Sequence, residues 1–276
     1  MRQRFIRNYK LIIKLKGKEV VINPPVRINF TCTKSIAGAL NAMSIKIYNI
    51  NESNRLALVK DAEEGSYIPV SLFIGYDERY KLAYKGSVFK GNNARAGVDI
   101  ITTLDCLDGG FDYINSFTSA TVKGVNEAVG QILRDLKTTT KGKITSQQEI
   151  IRPRVLVGNT VKLLNDIVGE DENWYIEDEQ LYILKKDEVT SNFRPLIKSS
   201  TGLIETPSRE AKKVSFKILI DPAVKIGRII QLESIVQPHL NGIYKIETID
   251  LKGDTYGSEW SQTCYGFLTN LKYSVI

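Results

Sequence analysis

Apolar and polar residues alternate with a period of two over much of the chain, most clearly between Arg27 and Ile50. There Ile28, Phe30 and Cys32 alternate with Asn29, Thr31 and Thr33, and Ile45 and Ile47 alternate with Ser44, Lys46 and Tyr48. Successive side chains on a strand point to opposite faces, so each run has one apolar and one polar face, as in an antiparallel sheet covered on one side. Gly38 and Asn41 supply the turn between the runs, and Asn51-Glu52-Ser53 is suited to cap a short helix over Arg55 to Val59. Upstream, Tyr9, Leu11, Ile13 and Leu15 alternate with Lys10, Ile12, Lys14 and Lys16, and Asn23-Pro24-Pro25 forces an extended turn. Downstream, strands are expected over 66–75, 82–90 and 98–107, separated by Asp77-Glu78-Arg79 and Gly91-Asn92-Asn93 and ended by Gly109-Gly110. Short, evenly spaced strands of this kind predict a small barrel or sandwich over residues 1–115.

The period then changes. Val122, Val125, Val129, Ile132, Leu133 and Leu136 fall at helical spacing and predict an amphipathic helix over 119–136, followed by a linker at 138–143. A second helix is expected within 155–168, with Gly169 at its end, and then a hairpin of 174–176 and 180–184 around Asp178-Glu179. Residues 116–196 thus read as an α+β middle domain. Period-two runs return at 214–220, 227–234, 242–251 and 256–267, a second barrel over 197–276. Both β regions hold a Tyr-Lys strand (Tyr84-Lys85, Tyr244-Lys245) that leads through a glycine-bearing turn to a strand with a cysteine (Cys106, Cys264), a weak internal echo. The fold class is therefore mainly β with an α+β insertion: two related antiparallel β-barrel domains and a small helix-containing middle domain.

Composition narrows the functional classes. Apolar residues make up 42% of the 276-residue chain, enough to build cores. No apolar run approaches the roughly 18 to 20 residues of a membrane helix. Leu11-Ile12-Ile13, interrupted by Lys10 and Lys14, is too short for the core of a signal peptide, so the protein is expected to stay in the compartment where it is made. Cys32, Cys106 and Cys264 are far apart and show no metal-ligand spacing, which reads as three buried reduced thiols. His239 is the only histidine, beside Pro238 in a solvated loop, so imidazole-based triads and two-histidine zinc sites are excluded. No cofactor, catalytic or metal residue is assigned.

The net charge of +7 is carried by seven of the 38 lysines and arginines, all within residues 1–18; the other 31 balance the 31 acids. A basic segment admits a nucleic-acid reading, because lysine and arginine release counterions from phosphate. The alternation favours a strand whose lysines, Lys10, Lys14 and Lys16, face solvent or an acidic protein partner, as lysines on an edge strand do. Among acids, Asp105 with Asp108 and Glu177 with Asp178 and Glu179 are the pairs a hydrolase would draw on, since a glycosidase needs two carboxylates about 5 to 10 Å apart. Neither set departs from the pattern of solvated turn acids.

At this point the sequence resembles a known family. The run from Arg27, the loop around Ala37 to Asn41, and Ser44-Ile45-Lys46-Ile47-Tyr48-Asn49-Ile50 before a short helix are similar to the opening of tailed-phage baseplate hub proteins. Val70 to Tyr76, Tyr84-Lys85-Gly86 and the strand reaching Asp105 continue the likeness. Ser200-Thr201-Gly202-Leu203-Ile204-Glu205-Thr206-Pro207, Asp221-Pro222 with Gly227-Arg228, and Gly253-Asp254 with Trp260 resemble the second barrel of the same proteins. The resemblance implies a non-enzymatic homotrimer, a pseudo-sixfold ring in the virion tail. Such a ring joins the tail tube protein to the central spike protein, meets the tape-measure protein, initiates tube assembly and lets DNA pass through its lumen without specific binding. It also implies synthesis and assembly in the host cytoplasm, and no fused lysozyme, peptidase or spike domain is expected before Ile276. Two other classes stay open: a tail-tip peptidoglycan hydrolase using Asp105 or Glu177, and a barrel that binds single-stranded nucleic acid.

Overall fold

The computed structural model describes residues 6–38, 40–145 and 153–269. The first β region contains β1 (Arg7–Leu15), β2 (Lys18–Ile22), β3 (Ile28–Ser35), β4 (Ala42–Tyr48), helix α1 (Glu52–Glu63), β5 (Pro69–Tyr76), β6 (Arg79–Ala96) and β7 (Asp99–Leu107). Period-two patterning puts Tyr9, Leu11, Ile13, Ile28, Phe30, Ile45 and Ile47 inside. The Asn51 side chain accepts the Asn54 N–H at 2.8 Å and caps α1, which runs to Glu63 and not only to the expected Val59. The basic strand β1 is not an edge. It pairs with β5 on one side and β2 on the other, because the Lys16-Gly17 turn folds β2 back onto it. Lys14 and Lys16 are exposed, Lys10 is half-buried, and Lys16 lies 3.8 Å from Glu64.

The middle of the chain departs most from its pattern. It contains α2 (Gly110–Asn115), β8 (Phe117–Val122), α3 (Val125–Asp135), β9 (Thr140–Ile144), β10 (Arg154–Asn159), α4 (Leu164–Ile167), β11 (Glu172–Glu177) and β12 (Gln180–Lys185). The helix expected over 119–136 forms as α3 over Val125–Asp135, but residues 119–122 at its start belong to strand β8. Val122 satisfies both periods, Thr118 and Val122 bury on one face of β8, and helix begins only after Gly124. The linker expected at 138–143 is β9, a strand parallel to β12; the helix expected within 155–168 is the single turn α4, Leu164–Ile167, and the residues before it form β10, paired antiparallel to β8. The hairpin around Asp178-Glu179 forms as β11 and β12.

The last region holds β13 (Leu196–Ile197), β14 (Ser208–Glu210), β15 (Lys213–Leu219), β16 (Ile229–Leu232), β17 (Gly242–Asp254) and β18 (Trp260–Leu268). His239 is exposed on a 3₁₀ turn, Pro238–Leu240. The fold is mainly β with antiparallel pairing, and strands of the first and last regions belong to one 13-stranded sheet ordered β14-β15-β18-β17-β3-β4-β7-β6-β5-β1-β2, with β16 beside β17 and β13 beside β16. The join is β3 against β17, from Ser35 opposite Thr248 to Asn29 opposite Asp254. Gly253 is required there, since a Cβ would overlap the Phe30 ring, which meets Trp260 edge-on at 5.7 Å. Arg27 clamps the same join. Its Nε and Nη2 donate to the two Asp254 carboxylate oxygens at 3.2 and 2.7 Å, and that hydrogen bond holds the Asp254 pKa well below the usual carboxylate range.

One apolar core runs from Tyr9 to Cys264 through both β regions, and a second lies between Val122 and Ile183. Full burial of a side chain such as Phe30 or Ile45 contributes roughly 1.5–3 kcal/mol, against about 0–1 for an exposed ion pair, so the cores dominate stability. Cys32, Cys106 and Cys264 are buried and free; burial pushes the Cys32 and Cys264 thiols up to about 12. Iodoacetamide at pH 8 is therefore expected to leave all three unmodified in the folded protein and to alkylate all three in denaturant, as read by intact mass.

Candidate functional site: a buried charge junction

Five separate pieces of chain bring charged side chains together between the β regions and the β11–β12 hairpin: Lys34, Lys85, Asp108, the hairpin acids and Lys225. Lys34 comes from β3. The alternation that turns Ile28, Phe30 and Cys32 inward turns Lys34 inward as well, and it is only 3% exposed. Its Nζ lies 3.6 Å from Glu177 Oε1 and 3.7 Å from Asp178 Oδ1. Burial disfavours the ammonium, but the Asp178 and Glu177 charges more than offset this and hold the Lys34 pKa above the ordinary lysine range.

The hairpin turn needs this support. Asp178 and Glu179 have φ of 55° and 59°, the left-handed region that costs a non-glycine residue about 1–2 kcal/mol and that Asn-Gly usually fills. Asp108, just beyond β7 and fully buried, compensates. Its two carboxylate oxygens accept the backbone N–H groups of Asp178 and Glu179, each at 2.7 Å. Burial pushes the Asp108 carboxyl up to about 8, against the pull of the Glu179 N–H and Lys34. Glu177 is raised by burial, whereas for Asp178 the Lys34 and Lys225 charges outweigh burial and lower it. Lys225, in the loop before β16, pairs with Asp178. Glu179 accepts from Tyr67 Oη at 2.6 Å and pairs with Lys85 at 2.9 Å.

The lysines of the internal echo thus share a task. Lys85 on β6 reaches Glu179, and Lys245 on β17 donates from Nζ to the Lys186 carbonyl at 2.9 Å, so each Tyr-Lys strand holds one end of β12. Burial lowers the Lys245 pKa to about 8. Asn41 adds a further tie, from Nδ2 to the Ile176 carbonyl at 2.7 Å.

Sequence reasoning divided the acids into two sets of solvated turn residues. The structure corrects this for Asp108, Glu177 and Glu179, which are buried, and joins Asp108 to the hairpin acids. Asp105 is not part of the junction; it accepts from Ser44 Oγ at 2.7 Å across the β4–β7 pair. With its carboxylates held by N–H groups, a tyrosine and lysines, the junction fastens the hairpin to the sheet and offers no carboxyl pair to a substrate. The open cleft of about 310 Å³ lined by Arg7, Tyr76, Lys217, Glu259 and Trp260 has a single carboxylate on its wall. Among the described residues no group of three His, Cys, Asp or Glu side chains could hold a metal, and no helix is long and apolar enough to cross a membrane.

Comparison with known proteins gives this architecture its setting. No curated protein matches the chain in sequence. A tail protein from Neisseria meningitidis MC58 superimposes with a TM-score of 0.66 at 10% identity, covering 95% of this chain and 97% of the other. The 43 kDa tail protein of prophage MuSo2 from Shewanella oneidensis gives 0.64 at 8% identity, covering 94% and 98%. A component of the Escherichia coli type VI secretion system, described as structurally similar to the T4 tail proteins gp27 and gp5, gives 0.64 at 9% identity, covering 95% and 78%. These likenesses establish a shared fold. The family model described as baseplate hub gp41 matches residues 9–255, every strand but β18 in nearly full length, and the chain accordingly belongs to the baseplate hub gp41 family, structural components of the phage tail.

Proposed function

We propose that three copies of this chain form a ring that joins the tail tube to the central spike and initiates tube assembly, with no catalytic step. The observation that carries the reading is the continuous sheet, in which β3 and β17 unite the first and last β regions into one rigid body. Three of its strands, β2, β13 and β14, each have one neighbour among the described residues. Heterologous contacts between copies cover such edges and close a ring. Tube, spike and tape-measure proteins are its partners in this reading, DNA passes through the lumen without specific binding, and assembly takes place in the host cytoplasm. The division into 1–115, 116–196 and 197–276 is retained as three units of that body, two of them related.

The hydrolase reading is disfavoured by the engagement of Asp105 with Ser44 and the burial of Glu177. Light scattering across a concentration series tests the ring: the expected mass is that of a trimer, or of a monomer passing to a trimer. A monomer at every concentration, even with tube and spike proteins present, overturns it. We assign Lys10, Lys14 and Lys16 to contact with a neighbouring protein. Lys10→Glu with Lys14→Glu is expected to leave the fold intact and to block assembly with tail partners; assembly at the wild-type yield removes that role.

A further inference from the structure

The ribbon formed by β8 and β10 stands apart from the 13-stranded sheet. Its inner face is closed, with Thr118, Val122 and Leu156 buried. Its outer face is not. Val155 lies opposite Thr121, Val157 opposite Ser119 and Asn159 opposite Phe117, which places Phe117, Val155 and Val157 together on the outward side. They are 64%, 67% and 59% exposed, and Ile114 at the end of α2 adds another 64%. β-Branched and aromatic residues suit strands because they pack on cross-strand neighbours, and a two-stranded ribbon supplies too few. Each strand also has one neighbour among the described residues, so both outer edges present unpaired backbone groups. An exposed apolar face with open edges marks an interaction surface.

Charge selects the occupant. Lys137 donates from Nζ to the Asn115 carbonyl at 2.9 Å, and Lys162 stands 5.5 Å over the Tyr113 ring; both flank the Phe117 end of the face. Lys123 follows β8 at the opposite end and is exposed. Residues 113–145 and 153–168 hold seven lysines and arginines against three acids. Two of those acids are used locally, Glu127 accepting the Lys123 N–H and Asp135 accepting from Thr118. A second copy would bring the same positive surface to this face, whereas a partner with acidic ends is complementary to it.

We propose that the β8–β10 ribbon receives a third strand from a different protein: an extended segment of alternating β-branched residues between acidic ends. Backbone hydrogen bonds to an open edge supply affinity, contact with Phe117, Val155 and Val157 supplies register, and Lys123, Lys137 and Lys162 fix the ends. The inference rests on the hub reading only in that a tail component has protein neighbours.

The test uses the full chain and a short fluorescent peptide of alternating valine and threonine between paired glutamates, followed by anisotropy. Saturable binding is expected, weakened about tenfold or more when paired lysines replace the glutamates or when the protein carries Val155→Ser and Val157→Ser. Both positions are exposed, so the serine variant keeps the wild-type melting temperature and oligomeric mass. Absence of binding at millimolar peptide overturns the proposal, as does equal affinity for the lysine-flanked peptide or for the serine variant. If the serine variant loses a trimer that the wild type forms, the occupant is a second copy and the proposal fails while the ring stands. If the wild type never forms a trimer but binds the peptide as described, the ring fails and the third strand stands.

Discussion

Replacing Lys34 with methionine is expected to lower the unfolding free energy by about 3–5 kcal/mol, because it leaves Glu177 and Asp178 buried without their closest common counter-charge. Methionine matches the lysine stem in length and apolar character, so little of the loss comes from packing. The measurement is urea unfolding with two probes: tryptophan fluorescence, from Trp174 in the second core and Trp260 in the main one, and far-ultraviolet circular dichroism for the whole chain. Adding Glu177→Gln to Lys34→Met removes part of the uncompensated charge, so the pair is expected to be less destabilised than the sum of the single changes. Additivity would show that Lys34 acts by filling space. A change below about 0.5 kcal/mol, the range of ordinary surface substitutions, would show that the junction is solvated.

Asp108→Asn probes the same junction through pH. The Asp108 carboxyl is raised from the ordinary range near 4 to about 8 by burial. A carboxyl raised on folding contributes stability that is complete below its unfolded pKa and is lost as pH rises through the folded one. Wild-type stability is therefore expected to fall between about pH 4 and pH 8. Asparagine removes that titration and leaves a shallower slope of the same sign from Glu177, which burial also raises. Asp178 acts at lower pH, where its depressed pKa makes stability fall on acidification, and Lys245 acts from about 8 upward. At neutral pH the variant also presents an amide NH₂ to one of two backbone N–H donors, a mismatch of about 1–3 kcal/mol. Parallel pH profiles for the two proteins would place the titrating group elsewhere.

Period two carried the sequence reading wherever one face of a strand is buried and the other more open, as in β3, β4 and β15. It failed where that contrast is weak. In β9, Thr140-Lys141-Gly142-Lys143-Ile144 has one large apolar residue, and its strand geometry comes from pairing with β12, a partner some 40 positions away that no local window contains. In β8 the short run Phe117–Val122 abuts a true amphipathic helix, and Val122 belongs to both. Of the junction, Lys34 was missed, although its register with Ile28, Phe30 and Cys32 puts a charge at an inward position of β3, a local conflict of the kind that marks a special site. The meeting of Asp108 with Asp178 and Glu179 was not legible, since contact between residues 70 positions apart in an acid-rich turn leaves no trace in spacing. Function was legible only through order and spacing shared with the hub family, because an apolar strand face reads the same in the sequence whether it packs in a core or against a neighbouring protein.

The pairing of β3 with β17 also constrains how the chain is made. β3 is synthesised early, but its second neighbour spans Thr248 to Asp254, and the Arg27 clamp closes on that same last residue. During translation β3 has β4 on one side and an unpaired backbone on the other until nearly the whole chain has left the ribosome. Contacts of such sequence separation form slowly, and an open interior edge is where nascent chains aggregate. A product that ends before β17 therefore keeps that edge uncovered and lacks Tyr244, Ile246, Ile249, Leu251, Trp260 and Cys264 of the main core. Only molecules synthesised through Asp254 can bury it, so a shortened chain is distinguished from a longer one by an exposed strand edge in the middle of its sheet.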